Sequence, residues 1–241
     1  MSACGDAPAP AAGAASAPPS PAVTSAAPSP TPAVDGGPAL AKAVAASVGS
    51  DFTFALSSGG ASTSGEYDAE SKGTRMLPGQ SGGDAMEFVA IGDDLWVQVE
   101  AGTYLHYSAA KFTARHQMIG ATAPVAALDF LGAASGVTVD GAGEYKGTID
   151  LAKVPRSNPA AAHLAALLAE RIGATPVSSA VPFTAKLDAQ GRINKVTVDL
   201  PHAENNGSNL VYGFTAYDYG KQISVGKPTG RIVDAPMDAY A

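Results

Sequence analysis

Residues 86–107 constrain the fold more tightly than any other stretch. They read as three short antiparallel strands, 86–91, 95–99 and 104–107, joined at Gly92-Asp93-Asp94 and Glu100-Ala101-Gly102-Thr103. Gly suits such turns because it reaches positive φ freely, and Asp because its carboxylate bonds nearby backbone. Setting Ile91 opposite Leu95 puts Val89 opposite Val97, which makes one strongly apolar face. Phe88, Ala90, Trp96 and Gln98 take the other face, with Leu105 and Tyr107 beside them. An antiparallel sheet with one wet side alternates apolar and polar residues, whereas here both faces are greasy. A chain carrying this segment must cover its sheet on both sides.

Alternation with a period of two recurs along the chain. Phe52, Phe54 and Leu56 alternate with Asp51, Thr53 and Ala55; a Gly/Ser loop and a strand over 67–75 follow. Residues 136–140 and 144–151 form a hairpin around Gly141-Ala142-Gly143. In 181–200, Val181, Phe183, Ala185 and Leu187 share a side, as do Val196, Val198 and Leu200. A two- or four-residue loop near Gln190-Gly191 puts both sets on one face; a three-residue loop does not. The last strands are 210–219 and 222–225.

Helical spacing marks three further segments. Pro38 opens 38–48, where Leu40, Val44 and Val48 repeat before Gly49. Val125, Leu128 and Leu131 mark 124–134, and Asn158, Pro159 and Gly173 punctuate 159–172, with Leu164, Leu167, Leu168 and Ile172 as its stripe. No helix separates the final strands, so the sheet is antiparallel. The fold class is α+β, with a single curved antiparallel sheet, a half-barrel, and helices packed on its concave face.

Only the part after residue 37 has the composition to fold. Residues 5–38 hold nine of the 18 prolines, set among Ala, Ser, Gly and Thr. Such a stretch cannot bury enough apolar surface to offset its ordering entropy. As a Pro-rich spacer at about 3.1 Å per residue it reaches up to roughly 100 Å. Cys4, the single cysteine, sits in Ser2-Ala3-Cys4-Gly5 and can form no internal disulfide. Small residues before a cysteine and a flexible tail after it read as the end of a bacterial lipoprotein signal. Its apolar part is expected to have been removed and Met1 added. Cys4 then carries acyl chains such as palmitate, and two or three of these anchor stably; the alternative is a free thiol. The chain divides into a lipidated tether (1–37), a folded domain (38–226) and a C-terminal tail (227–241), on the extracytoplasmic face of the cell membrane.

Composition and motifs exclude several function classes. The formal charge is −7, and the 15 Lys and Arg residues never cluster, which argues against nucleic acid. No run of 18 apolar residues spans a membrane. His106, His116, His163 and His202 lack metal-ligand spacing. Ser108-Ala109-Ala110-Lys111 matches S-x-x-K, but its serine follows a strand rather than opening a buried helix. Gly141-x-Gly143 has Lys146 where a third dinucleotide glycine belongs, so no cofactor is implied. The chain does not read as an enzyme.

Three runs carry a family resemblance: Phe88-Val89-Ala90-Ile91-Gly92-Asp93-Asp94-Leu95-Trp96-Val97-Gln98-Val99, then Tyr104-Leu105-His106-Tyr107-Ser108-Ala109-Ala110-Lys111-Phe112, and Val181-Pro182-Phe183-Thr184-Ala185-Lys186-Leu187-Asp188-Ala189-Gln190-Gly191-Arg192. With the tethered cysteine and leading helix, they resemble the actinobacterial LppX/LprA/LprF/LprG lipoproteins over residues 38–226. The wider group includes LolA-like carriers. The long Ala/Pro tether and the Gly/Ser-rich stretches 57–65 and 79–83 depart from that pattern.

The resemblance implies an envelope protein that binds a lipid or acylated glycolipid in an apolar cavity and passes it on, with an envelope transporter as a partner. By face parity the cavity wall draws on Phe52, Phe54, Leu56, Val89, Ile91, Leu95, Val97 and Val99. The roof draws on Leu128, Leu131, Leu164, Leu167 and Leu168. A second reading stays open. In it the same fold has a filled core and binds a protein partner through an exposed face with Phe88, Trp96 and Tyr107.

Overall fold

The computed structural model describes residues 34–58, 60–78, 86–113, 116, 118–140, 143–173, 177–203 and 207–240. Cys4, the tether through residue 33 and the 79–83 loop lie outside them. The alternating segments pair into one open curved sheet. Its strands are β1 (Val34–Asp35), β2 (Phe52–Ser58), β3 (Ala61–Asp68), β4 (Gly73–Pro78), β5 (Phe88–Ile91), β6 (Asp94–Glu100) and β7 (Thr103–Ser108). They continue with β8 (Ala134–Val139), β9 (Glu144–Ile149), β10 (Val181–Leu187), β11 (Ile193–Leu200), β12 (Leu210–Tyr217) and β13 (Arg231–Asp234). Their order is β1-β8-β9-β10-β11-β12-β2-β3-β4-β5-β6-β7-β13. Helices α1 (Gly37–Val48), α2 (Ala126–Phe130) and α3 (Pro159–Ile172) share one apolar core with the sheet.

Rings from the strand faces form the middle of that core. Phe52 stacks on Tyr67 with centroids 4.7 Å apart and meets Phe214 edge-on at 6.0 Å. Aromatic pairs in these geometries add to area burial. The Gly/Ser stretch expected as a loop is part of β3, because Gly65 leaves room for a ring. A Cβ there would stand 2.6 Å from Phe54 Cζ and 2.5 Å from the Arg75 carbonyl oxygen. The strand expected over 67–75 is therefore two strands with a turn between them.

Register corrects the reading of the first hairpin. Ile91 pairs with Asp94, Ala90 with Leu95, and Val89 with Trp96. Only Gly92 and Asp93 form the turn, Gly92 at φ +61°. A slip of one residue sends every side chain to the opposite face. Leu95 and Val97 therefore lie with Phe88, Ala90 and Tyr107, while Val89 and Ile91 lie with Trp96.

The 181–200 hairpin corrects the loop expectation. The Asp188 N–H donates to the Arg192 carbonyl (2.8 Å), so the loop has three residues. A bulge beside Leu187, which pairs with Ile193, then restores the alignment, and Ala185 still faces Val196. The displaced Ile193 N–H donates to Ser47 Oγ (2.8 Å), whose own O–H donates to the Ala43 carbonyl (2.8 Å). Tyr219 OH donates to the Ile193 carbonyl (2.6 Å). Helix α1 is thus bonded to the sheet at its irregular point.

The C-terminal residues are not a tail. Strand β13 pairs parallel with β7, the single parallel pairing among the described strands. The expected strand 222–225 makes no ladder. Carboxylates hold it instead: Asp51 accepts from the Ile223 N–H (3.0 Å) and Asp68 from the Val225 N–H (2.9 Å). Ile223 and Val225 then cover Val89, Trp96 and Tyr104. Burial alone would raise the Asp68 pKa, but donors from Val225, Ser71 and Glu70 hold it below the usual carboxylate value. On the other face, Phe112 and Tyr240 cover Leu95, Val97 and Tyr107.

Two outcomes follow from these attachments. Ser47→Ala leaves the buried Ile193 N–H without an acceptor, so denaturant unfolding should show a loss of about 1–3 kcal/mol. His106 is held by Asp234 (2.8 Å) and Asp94 (2.7 Å). Burial would lower its pKa, but these two bonds raise it above 6.5. A raised pKa means the clamp is fully present below about pH 6.5 and is lost as pH rises through the folded value. Hydrogen exchange at residues 231–234, corrected for intrinsic rates, should speed up over that interval in wild type and be insensitive to it in His106→Gln.

Candidate functional site

One face of α3 points at an unfilled space. Leu164, Leu168 and Arg171 stand four and three residues apart, so they line one side of the helix. Opposite them, Leu56 ends the apolar series of β2, Met76 comes from β4 and Leu200 closes β11. Leu210 and Tyr212 come from β12, facing Leu200 and Val198 in the β11 ladder. Phe130 of α2, Phe88 of β5 and the segment with His116, Met118, Gly120 and Ala121 complete the wall.

The volume of this open space is about 480 Å³. That lies within the roughly 300–1,000 Å³ usual for small-molecule sites. Ser58, Ala61, Ser62 and Thr63 form the rim, and Ala61 and Ser62 are exposed, so the space opens to solvent there. The lining contains no Asp or Glu among the described residues; Arg171 and His116 carry its only basic groups. Tyr212 OH donates to the Pro124 carbonyl (2.8 Å), and burial pushes its pKa well above the ordinary tyrosine value. Beside Phe130, burial pushes the Asp129 carboxyl up to about 6, against the opposing effects of Asn158 and Lys72. A second space, about 90 Å³ and lined by Lys72, Thr74, Thr122 and Asn158, has room for only a few waters.

The structure distributes the expected wall residues unevenly. Leu56, Leu164 and Leu168 line the space. Phe52, Phe54, Leu128, Leu131 and Leu167 are buried in the main core behind it. Leu95 and Val97 belong to the patch under Phe112 and Tyr240, and Val89 and Ile91 to the opposite face under Ile223 and Val225. Val99 is 47% exposed, beyond the last cover. Sequence parity missed Met76, Phe130, Leu200, Leu210 and Tyr212. The β11–β12 ladder sets Leu200 opposite Leu210, and the periodicity of neither strand encodes it. The Leu164-Leu168-Arg171 stripe, by contrast, is legible from helical spacing.

The remaining chemical motifs resolve into structural contacts. Ser108 Oγ donates to Asp93 (2.8 Å), while the Lys111 ammonium lies 5.4 Å from the centre of the Tyr240 ring. His163 bonds the Phe112 carbonyl (3.2 Å) and His202 the Gly207 carbonyl (3.0 Å). Among the described residues no three His, Cys, Asp or Glu side chains gather as a metal site. No described helix is long and apolar enough to cross a membrane.

No protein-family model matches this chain, and no curated protein sequence does. Among solved structures it is similar to the Mycobacterium tuberculosis lipoprotein LppX, at 16% identity over 78% of this chain and 99% of LppX, with a TM-score of 0.44. It is also similar to LprF from Mycobacterium bovis, at 12% identity over 81% of this chain and 98% of LprF, with a TM-score of 0.46. The likeness is to the LppX/LprF type of lipoprotein, at low identity and in the outline of the fold.

Proposed function

We propose that this protein binds a lipid in the space between α3 and the sheet, and carries or presents it while held at a membrane surface through acylated Cys4. The observation that carries the reading is the apolar, open space of about 480 Å³ lined by Leu56, Met76, Phe130, Leu164 and Leu168. Its physical basis is hydrocarbon transfer. A chain of ~16 carbons withdrawn from water gains on the order of 12 kcal/mol at about 0.8 kcal/mol per methylene. Lost translational freedom offsets part of that gain and leaves a surplus for binding. The role is that of a binder, since Ser108 and Lys111, the one nucleophile motif of the sequence, are both engaged in structural contacts.

The competing protein-docking reading loses its surface. Trp96 and Tyr107 are each 5% exposed, they lie on opposite faces of the sheet, and Phe88 lines the space itself. The exposed face on which that reading depended is not assembled.

Native mass spectrometry of the full chain, purified gently from membranes of a lipid-rich host, should show adducts of lipid mass that organic extraction removes. Leu164→Trp, which fills the space, should lower lipid occupancy at least tenfold in protein whose circular dichroism matches wild type. Val99→Trp, on the exposed strand end, should leave occupancy unchanged. Adduct-free spectra from repeated preparations, or equal occupancy in Leu164→Trp and wild type, overturn the reading.

A further inference from the structure

The geometry points to a more specific occupant: an acyl chain ending in an anionic oxygen head group, held by Arg171. This inference rests on the lipid-binding reading of the same space. The volume of about 480 Å³ lies within the range of small-molecule sites and leaves room for hydrocarbon.

Head-group charge follows from Arg171. Its side chain is half-buried, lines the space directly beyond Leu168, and has no ion pair or hydrogen bond among the described residues. A partly desolvated cation without a counter-charge is unfavourable. The chain as a whole has a formal charge of −7, yet among the described residues no carboxylate lines this space to neutralise the guanidinium. A position in the last turn also complements the α3 dipole, but an exposed side chain serves that purpose equally well. The planar guanidinium fork matches a carboxylate or phosphate in a two-point contact.

His116 supplies a second donor. The Met118 N–H donates to its Nδ1 (3.2 Å), so in the neutral ring the proton sits on Nε2. Among the described residues His116 and Arg171 are the basic residues of the lining, and Ser62 and Thr63 add hydroxyls at its rim. A carboxylate and a phosphate monoanion share the chemistry that this arrangement recognises.

The test uses delipidated full-length protein and displacement of the neutral fluorophore N-phenyl-1-naphthylamine, below the micellar range. The competitors are palmitate, methyl palmitate and a palmitoyl lysophosphatidylglycerol. Wild type should prefer at least one of the two anions over the methyl ester by on the order of tenfold, as expected for a charge-assisted bond. Arg171→Gln should erase that preference and leave methyl palmitate unchanged, and Arg171→Lys should restore part of it. Whichever anion shows the preference identifies the head as carboxylate or phosphate ester. Equal affinity for all three competitors, or equal weakening of all three by Arg171→Gln, overturns the anionic-head inference. In that event, loss of all binding in Leu164→Trp still supports the lipid site itself, whereas unchanged binding in Leu164→Trp removes the site.

Discussion

Coverage of the sheet is the constraint on which the rest depends. Thirteen strands at about 4.8 Å spacing extend roughly 58 Å across the strand direction. Helices α1 and α3, of 12 and 14 residues, are only about 18 and 21 Å long at 1.5 Å per residue. They shield the middle of one face, where Phe52, Phe54 and Phe214 meet Leu40, Leu128 and Leu164. Beyond that middle, apolar side chains either find another cover or border a void. Both outcomes occur in this molecule, and their division separates structural from binding surface.

The first outcome governs β5–β7. Extended backbone from the C-terminal region covers one face and Phe112 with Tyr240 covers the other, so no α-helix is spent there. Extended backbone outside a ladder leaves N–H groups that need acceptors. Asp51 and Asp68, which flank β2 and β3, provide them for Ile223 and Val225. Two carboxylates thus do for this segment what a neighbouring strand does elsewhere. Apolar cover and polar attachment come from the same few residues.

The second outcome is the space beside α3. The lining is apolar apart from a few groups, among them the Arg171 guanidinium, the His116 imidazole and the hydroxyls of Ser62 and Thr63. Burial provides affinity without specificity, whereas a fixed fork of donors distinguishes one head group from another.

Much of this was legible in the chain itself. The period-two runs marked most of the strands, though not β1, β13 or the start of β3, and 222–225 forms no ladder; Asn158, Pro159 and Gly173 marked α3, and greasy residues on both sides of 86–99 required cover on both faces. These follow from local rules of pleat, cap and turn. What depended on tertiary structure was parity and pairing. Ile91 pairing with Asp94 moved Val89 and Ile91 away from the helices. A bulge at Ile193, stabilised by a serine far away in sequence, rescued a loop of the wrong length. Leu200 and Leu210 became one wall only through the β11–β12 ladder. A side chain's face changes with a shift of a single residue, and that shift is set by partners distant in sequence. For that reason the sequence alone determined most of the elements and the need for cover, while only the folded chain decided where cover ran out.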